Sequence, residues 1–356
     1  MSVASGFWSF CLTPELPQPS IHTLSITALD RRRAFMTYPF LTAVQDDFQA
    51  VNDVITSNLD SNVPLVEEIS AYLIEAGGKR LRPLLVLLSA LACGYTGRQH
   101  IKLAAVIEFL HTAMLLHDDV VDDSSLRRGR KTVNAAWGNA PSVLVGDFLH
   151  SRAFEMMVEI GDMRVMKILS RATNIIAEGE VQQLCNIRNP GITEENYLEI
   201  ISRKTAMLFQ AASHSAAVLA GASPKSEHAL KIYGLHLGVS FQLIDDQLDY
   251  RGSTTVLGKN VGDDLAEGKV TLPLIIAMRN GSPEQREFIQ QAILNGGVEN
   301  LEPVIEIVRE TAGLSYTVNL ADKERVKALE CLNNVEASIY KDSMETLINF
   351  VVDRRY

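Results

Sequence analysis

Leu115-Leu116-His117-Asp118-Asp119-Val120-Val121-Asp122-Asp123 closes an apolar run over residues 101–116 whose spacing predicts a helix. On that helix Asp118 and Asp122 stand four residues apart and share a face, about 5–6 Å apart at Cβ. Like charges so placed cost a helix roughly a few tenths of a kcal/mol per pair, so the pattern asks for compensating charge. A second stretch, Phe241-Gln242-Leu243-Ile244-Asp245-Asp246-Gln247-Leu248-Asp249, repeats the arrangement. Asp245 and Asp249 share a face there, and the approach is again apolar. Two carboxylate clusters, each ending an apolar helix, can cage divalent cations between them. Hard oxygen donors suit Mg²⁺, which takes one or two carboxylates together with phosphate oxygens and water.

The composition narrows the function classes. The chain has 356 residues, 47% of them hydrophobic, enough to bury a sizeable core. Its 33 basic and 43 acidic residues leave a net charge of -10. Nucleic-acid binding, which relies on a net basic face, is not expected. Cys11, Cys93, Cys185 and Cys331 are scattered without a CxxC spacing. That excludes a disulfide framework or a cysteine zinc site and suits a reducing, cytoplasmic setting. The most apolar segment, residues 84–93, falls far short of the ~18 residues that a membrane span requires. It reads instead as a helix buried on all sides.

Residues 1–35 differ from the rest. They carry Pro14, Pro17 and Pro19, several Ser and Thr, and no helical period. The basic cluster Arg31-Arg32-Arg33 follows the apolar island Phe7-Trp8-Ser9-Phe10-Cys11, the reverse of a secretory signal. The segment reads as a disordered extension, as a mitochondrial transit peptide, or as the product of an upstream start with Met36 as the true beginning. The expected domain is residues 36–356. Within it helical spacing is clearest over residues 63–76, 104–116, 142–160, 165–184, 206–219 and 233–248, and alternating strand-like runs are scarce. Ser282-Pro283-Glu284-Gln285 has the residues of a capping box with Pro at the first helical position. Two polar loops, residues 124–134 and 251–269, each follow an Asp cluster and can fold over whatever the clusters bind. The architecture these features predict is all-α, one large bundle of about ten or more mostly antiparallel helices around a central cavity.

Basic residues gather near the same places. In Gly77-Gly78-Lys79-Arg80-Leu81-Arg82-Pro83 the glycines let backbone approach a ligand closely, and Lys and Arg supply a point charge and a fork for phosphate. The plainer reading is a solvated cluster at a helix start. Arg127-Arg128-Gly129-Arg130-Lys131 lies just past Asp122, where surface ion pairs worth about 0–1 kcal/mol would be the ordinary outcome. The alternative is that the Asp cluster holds metal and these residues grip the same anion. Lys204-Thr205 sits inside an apolar segment, and Lys259 and Lys269 flank the second loop. His111 lies two helical turns before Asp118 on the same face and reads equally as a core residue or as a ligand contact.

In this order the pieces resemble the trans-type prenyl diphosphate synthases. The two aspartate-rich motifs match Asp118-Asp119-Val120-Val121-Asp122 and Asp245-Asp246-Gln247-Leu248-Asp249. The Gly-Gly-Lys-Arg-x-Arg-Pro signature, the paired arginines, the Lys-Thr pair and the Phe-Gln before the second motif are also present. The resemblance covers about residue 42 to the end and is nearest to the long-chain members; the N-terminal extension departs from it. It implies an isoprenoid synthase-like fold, a homodimer, and isopentenyl diphosphate and an allylic diphosphate as substrates. It implies Mg²⁺, three ions in the ternary complex, held by Asp118, Asp122 and Asp245. Asp119, Asp246 and Asp249 complete the catalytic motifs. Lys79, Arg82, His111 and Arg128 would hold the isopentenyl diphosphate. Arg127, Lys204, Lys259 and Lys269 would balance the remaining charge, and Thr205 and Gln242 would face the allylic cation. Ala113 and Met157 would set chain length, near eight isoprene units for a quinone side chain. A class I terpene cyclase would share the fold and one Asp cluster, yet has no need of the knot at Lys79–Arg82. A non-catalytic partner subunit could lose its aspartates freely, whereas both clusters are intact here.

Overall fold

Helical spacing of apolar residues carries over almost unchanged into the computed structural model, which describes residues 39–127, 129–251, 262–296 and 301–354. The order begins with α1 (Pro39–Thr42), α2 (Gln45–Ser57), α3 (Pro64–Ala76), α4 (Leu81–Ala92) and α5 (Gln99–Val121). A short antiparallel hairpin follows, β1 (Leu126–Arg127) against β2 (Arg130–Lys131). Then come α6 (Val133–Trp137), α7 (Asn139–Ile160), α8 (Met163–Leu184) and α9 (Glu194–Ile201). A π-helical turn, Ser202–Ala206, joins α9 to α10 (Met207–Leu219), which leads to α11 (Pro224–Asp249). The chain closes with α12 (Asp263–Ala266), α13 (Leu272–Asn280), α14 (Pro283–Asn295), α15 (Leu301–Glu310), α16 (Gly313–Leu332) and α17 (Ile339–Asp353). The fold is all-α, as the sequence predicts. The N-terminal extension and Lys259 lie outside the described residues, as does Arg128.

The centre is built on α4. Leu84, Leu85, Val86, Leu87, Leu88, Ser89 and Ala90 are all fully buried. This helix packs on α5, α10 and α17, while α10 packs on α8 and α11, and α11 on α16. The expected capping box at Ser282 is formed: its Oγ accepts from the Gln285 amide at 3.2 Å and Gln285 Oε1 accepts from the Ser282 amide at 3.0 Å.

Two local devices set the site. The first ends α5. Asp123 takes a left-handed conformation, φ 50°. The Ser124 amide returns to the Asp119 carbonyl at 3.0 Å and the Asp123 amide to Val120 at 3.4 Å, a Schellman closure. The helix therefore stops on its carboxylates, and the chain turns sharply into the hairpin. The second is a close approach of α11 to the turn bearing Lys204-Thr205. A Cβ on Gly238 would lie 2.5 Å from Ala206 Cα and 3.1 Å from the Phe209 ring. Only hydrogen fits between these backbones. Gly238→Ala should lower stability by about 1–3 kcal/mol through overpacking. Thermal unfolding of the variant checks this; an unchanged midpoint would mean the two segments are not wedged.

Candidate active site

The three carboxylates expected to hold metal each face a cation brought from elsewhere in the chain. Lys204 Nζ lies 3.7 Å from Asp118 Oδ2, and also touches Glu180 at 2.5 Å and Gln183 Oε1 at 2.7 Å. Lys269 Nζ lies 2.6 Å from Asp122 Oδ2 and 2.7 Å from Glu267. Arg354, at the end of the described chain, reaches Asp245 Oδ1 at 2.6 Å and the Phe241 carbonyl at 2.7 Å, with its guanidinium over the Phe241 ring. Burial opposes the charge on Lys269, yet Asp122, Glu267 and Asp264 outweigh it and hold the ammonium well above its usual range. These cations supply the compensation that the aspartate spacing demands.

The remaining aspartates of the motifs point inward. Asp119 is 3% exposed and takes Arg127 through Nε at 2.8 Å and a terminal nitrogen at 2.6 Å. Burial raises its pKa, Arg127 only partly offsetting the effect. So Arg127 is turned onto the back of the first motif. Asp249 is fully buried although Asp245 is 38% exposed, so the second motif does not repeat the first. Asp249 accepts from the amides of Gly262 through its carbonyl, 3.0 Å, and of Asp264 through Oδ2, 3.2 Å, tying the second loop to α11. Asp246 is 2% exposed and accepts from the Tyr197 hydroxyl and, at 2.7 Å, from Gln242 Nε2. Burial pushes its pKa well up, with Asp264 and Asp245 adding to the shift and the two hydrogen bonds opposing it.

From Gln242 the contacts pass to the Lys-Thr pair, since Thr205 Oγ donates to Gln242 Oε1 at 2.8 Å. Lys204, Thr205, Gln242, Asp246 and Lys269 line one cleft of about 660 Å³ with Tyr197 and Gln183. The Lys-Thr pair sits in the π-helical turn, a conformation recurrent at functional sites. The two basic knots also meet: Gly77 and Arg80 line a second cleft with Arg127, Arg130 and Lys131. Arg82 turns the other way. It donates to His111 Nε2 at 3.1 Å and stacks over Phe209, 4.2 Å from the ring centroid. Lys79 lies over the Phe350 ring at 5.4 Å. Ala113 and Met157 are both buried, on α5 and α7, which pack together. The sequence reading missed Tyr197, Glu180, Gln183 and Arg354. Glu180 and Gln183 stand at helical spacing in α8, but its many other polar residues, Glu178 and Gln182 among them, hide them in the sequence; Arg354 carried no signal.

Known proteins show the family. The polyprenyl synthetase family model matches residues 63–311. Octaprenyl diphosphate synthase of Escherichia coli (strain K12) is 49% identical over 309 residues, 86% of this chain and 96% of its own length. All-trans-nonaprenyl-diphosphate synthase (geranyl-diphosphate specific) of Rhodobacter capsulatus is 48% identical over 315 residues, 88% of this chain and 97% of its own. The crystal structure of polyprenyl synthase from Caulobacter crescentus CB15, complexed with calcium and isoprenyl diphosphate, has a TM-score of 0.87 at 44% identity. That match covers 89% of this chain and 98% of that one. Fold and family match thus define a trans-prenyltransferase, all-helical, whose chain carries two aspartate motifs. The chain belongs to the polyprenyl synthetase family.

Glu180 yields a test in the metal-free protein. Burial, together with Asp118 and Asp122 and against Lys204, pushes its carboxyl from 4.5 up to about 7. The folded chain then holds a proton that the unfolded chain has released between those values, so stability falls as pH rises through that window. Glu180→Gln should flatten the slope of melting temperature against pH between about 4.5 and 7 relative to wild type. Parallel slopes for the two proteins would refute the assignment.

Proposed function

We propose that the protein is an octaprenyl diphosphate synthase that adds isopentenyl diphosphate stepwise to an allylic diphosphate, farnesyl diphosphate first, for a quinone side chain. The octaprenyl diphosphate synthase relatives support this product length. The observation that carries the reading is the run of contacts from the first motif to the second: Asp118 to Lys204, then Thr205 to Gln242 to Asp246. One side of that run is cationic and suited to a diphosphate. The other presents acceptor oxygens.

The residues fit Mg²⁺. Among the described residues no cluster of three or more His, Cys, Asp or Glu makes a ready cage. An ion that completes its shell with phosphate oxygens and water requires none. Asp118, Asp122 and Asp245 would hold three ions through hard carboxylate oxygens, and bound there the metal would neutralise the leaving diphosphate. Lys204 and Lys269, already among the carboxylates, aim further positive charge at the same oxygens, where charge develops as the allylic C–O bond breaks. Arg82, His111 and Lys79 hold the second diphosphate, with Arg128 as a further grip. Thr205 and Gln242 offer oxygen dipoles to the allylic cation. The alkene attacks that cation, and the proton is lost to the departing diphosphate.

A homodimer is the working assembly. Val143, Leu144 and Val158 of α7 are exposed apolar side chains, Leu144 and Val158 at 66% and 67%. A second copy covers them in this reading, and sedimentation showing a stable active monomer at micromolar concentration would contradict it. No helix of the described residues is long and apolar enough to cross a membrane. Cys93, Cys185 and Cys331 are free thiols, which suits the cytoplasm.

Purified protein with farnesyl diphosphate, labelled isopentenyl diphosphate and Mg²⁺ should yield a product of eight isoprene units by chromatography. Asp118→Asn or Asp245→Asn should cut turnover by about two or more orders of magnitude with helicity intact. Near-normal rates in either variant would remove the central claim. Chain length has its own test. Ala113 lies five residues before Asp118, where a bulky ring would narrow the bore, and Met157 would form the floor. Ala113→Tyr should shorten the product, and Met157→Ala should lengthen it at a stability cost of about 2–5 kcal/mol. An unchanged product distribution from two active variants would place the tunnel elsewhere.

A further inference from the structure

Tyr197 has no place in the mechanism above, yet its hydroxyl is fully buried and committed to one of the motif carboxylates. It stands on α9, 3% exposed, and donates to Asp246 Oδ2. The other oxygen, Oδ1, accepts from Gln242 Nε2 at 2.7 Å. Gln242 Oε1 in turn accepts from Thr205 Oγ at 2.8 Å. Both ends of the Gln242 amide are therefore spoken for, and each in one sense only.

That sense matters for an allylic cation. With Nε2 held by Asp246, the amide turns its negative end towards Thr205 and the cleft that both residues line. The Thr205 proton goes to Gln242, so the lone pairs of Oγ remain as acceptors. Were the amide to flip, its NH₂ would face Thr205 and occupy a lone pair of that oxygen. The positive end of the dipole would then face the developing charge. Gln and Asn amides have no intrinsic preference between the two orientations; only their partners decide. Asp246 is that partner, and a buried carboxylate that has lost one of its donors is free to rotate.

We propose that Tyr197 is a positioning residue for prenyl transfer: through Asp246 it locks the Gln242 amide so that Thr205 and Gln242 present oxygen, not N–H, to the allylic cation. This rests on the reading that Thr205 and Gln242 face that cation. In it Asp246 serves the second motif as an internal acceptor, not as a metal ligand. Pre-aimed dipoles of this kind act without reorganisation at the moment of reaction, and outer residues that orient them typically contribute about tenfold to a hundredfold.

Single-turnover condensation of farnesyl and isopentenyl diphosphates isolates the chemical step from product release. Tyr197→Phe keeps the ring and removes only the hydroxyl. Its rate should fall about tenfold to a hundredfold, with both substrate affinities unchanged. In a Gln242→Ala background the same substitution should cost nothing further, because the amide it orients is gone. A full rate for Tyr197→Phe overturns the proposal. So does an equal loss in both backgrounds, which would mark a structural role, and so does a loss confined to affinity. Should Tyr197→Phe fail to fold by circular dichroism, Asp246→Asn carries the same pair of measurements. Its half-saturating Mg²⁺ should then be unchanged, and a raised value would show Asp246 acting through metal and sink the relay. A wild-type chain that does not condense the two substrates defeats the function itself, an outcome separate from any of these.

Discussion

Carboxylates held side by side on a helix end cannot stay charged and partly buried without positive charge close by. Asp118 and Asp122 stand one turn apart, and Asp245 enters from another helix. The cations that balance them come from three further segments: Lys204 from the π-helical turn, Lys269 from the irregular stretch before α13, and Arg354 from the end of α17. Each pair is long-range, so the site forms only when the bundle does. The same arrangement serves the chemistry. In the proposed function, cations that satisfy aspartates in the free protein would share a diphosphate when substrate arrives.

Division of labour between adjacent aspartates follows from helix geometry, whereas that between Asp245 and Asp249, which share a face, does not. Neighbouring residues on a helix point about 100° apart, so in Asp118-Asp119 and Asp245-Asp246 one carboxylate faces the mouth and the next faces protein. The inward members are fastenings. Asp119 binds Arg127 and so anchors the hairpin, while Asp249 receives the amide of Asp264 and so anchors the second loop. Asp246 joins α9 to α11 through Tyr197. Loss of an inward aspartate would leave a buried donor unsatisfied, whereas loss of an outward one would remove a proposed metal ligand.

Close packing brings these parts within reach. Gly238 admits Ala206 against α11, and Gly179 does the same for α8, where a Cβ would lie 2.9 Å from the Lys204 amide nitrogen. The π-helical turn is thereby pressed between two helices. Lys204 and Thr205 leave it in different directions, one to Asp118 and the other to Gln242.

The primary sequence alone determined the helices, because apolar residues recur at their period over most of the chain. It also determined where several start and stop, as at Ser282, and the positions of both aspartate motifs and the Lys-Thr pair. Local chemistry suffices for all of these, since caps and face-sharing span only a few residues. Tertiary structure alone decided which aspartates face the mouth, why Asp245 and Asp249 part company, and that Arg127 turns back onto Asp119. It alone brought Tyr197 to Asp246 across 49 residues and Arg354 to Asp245 across 109. A side chain's partner at such separations depends on how helices cross and how closely their backbones approach. Those quantities belong to the packed bundle, not to any stretch of the chain.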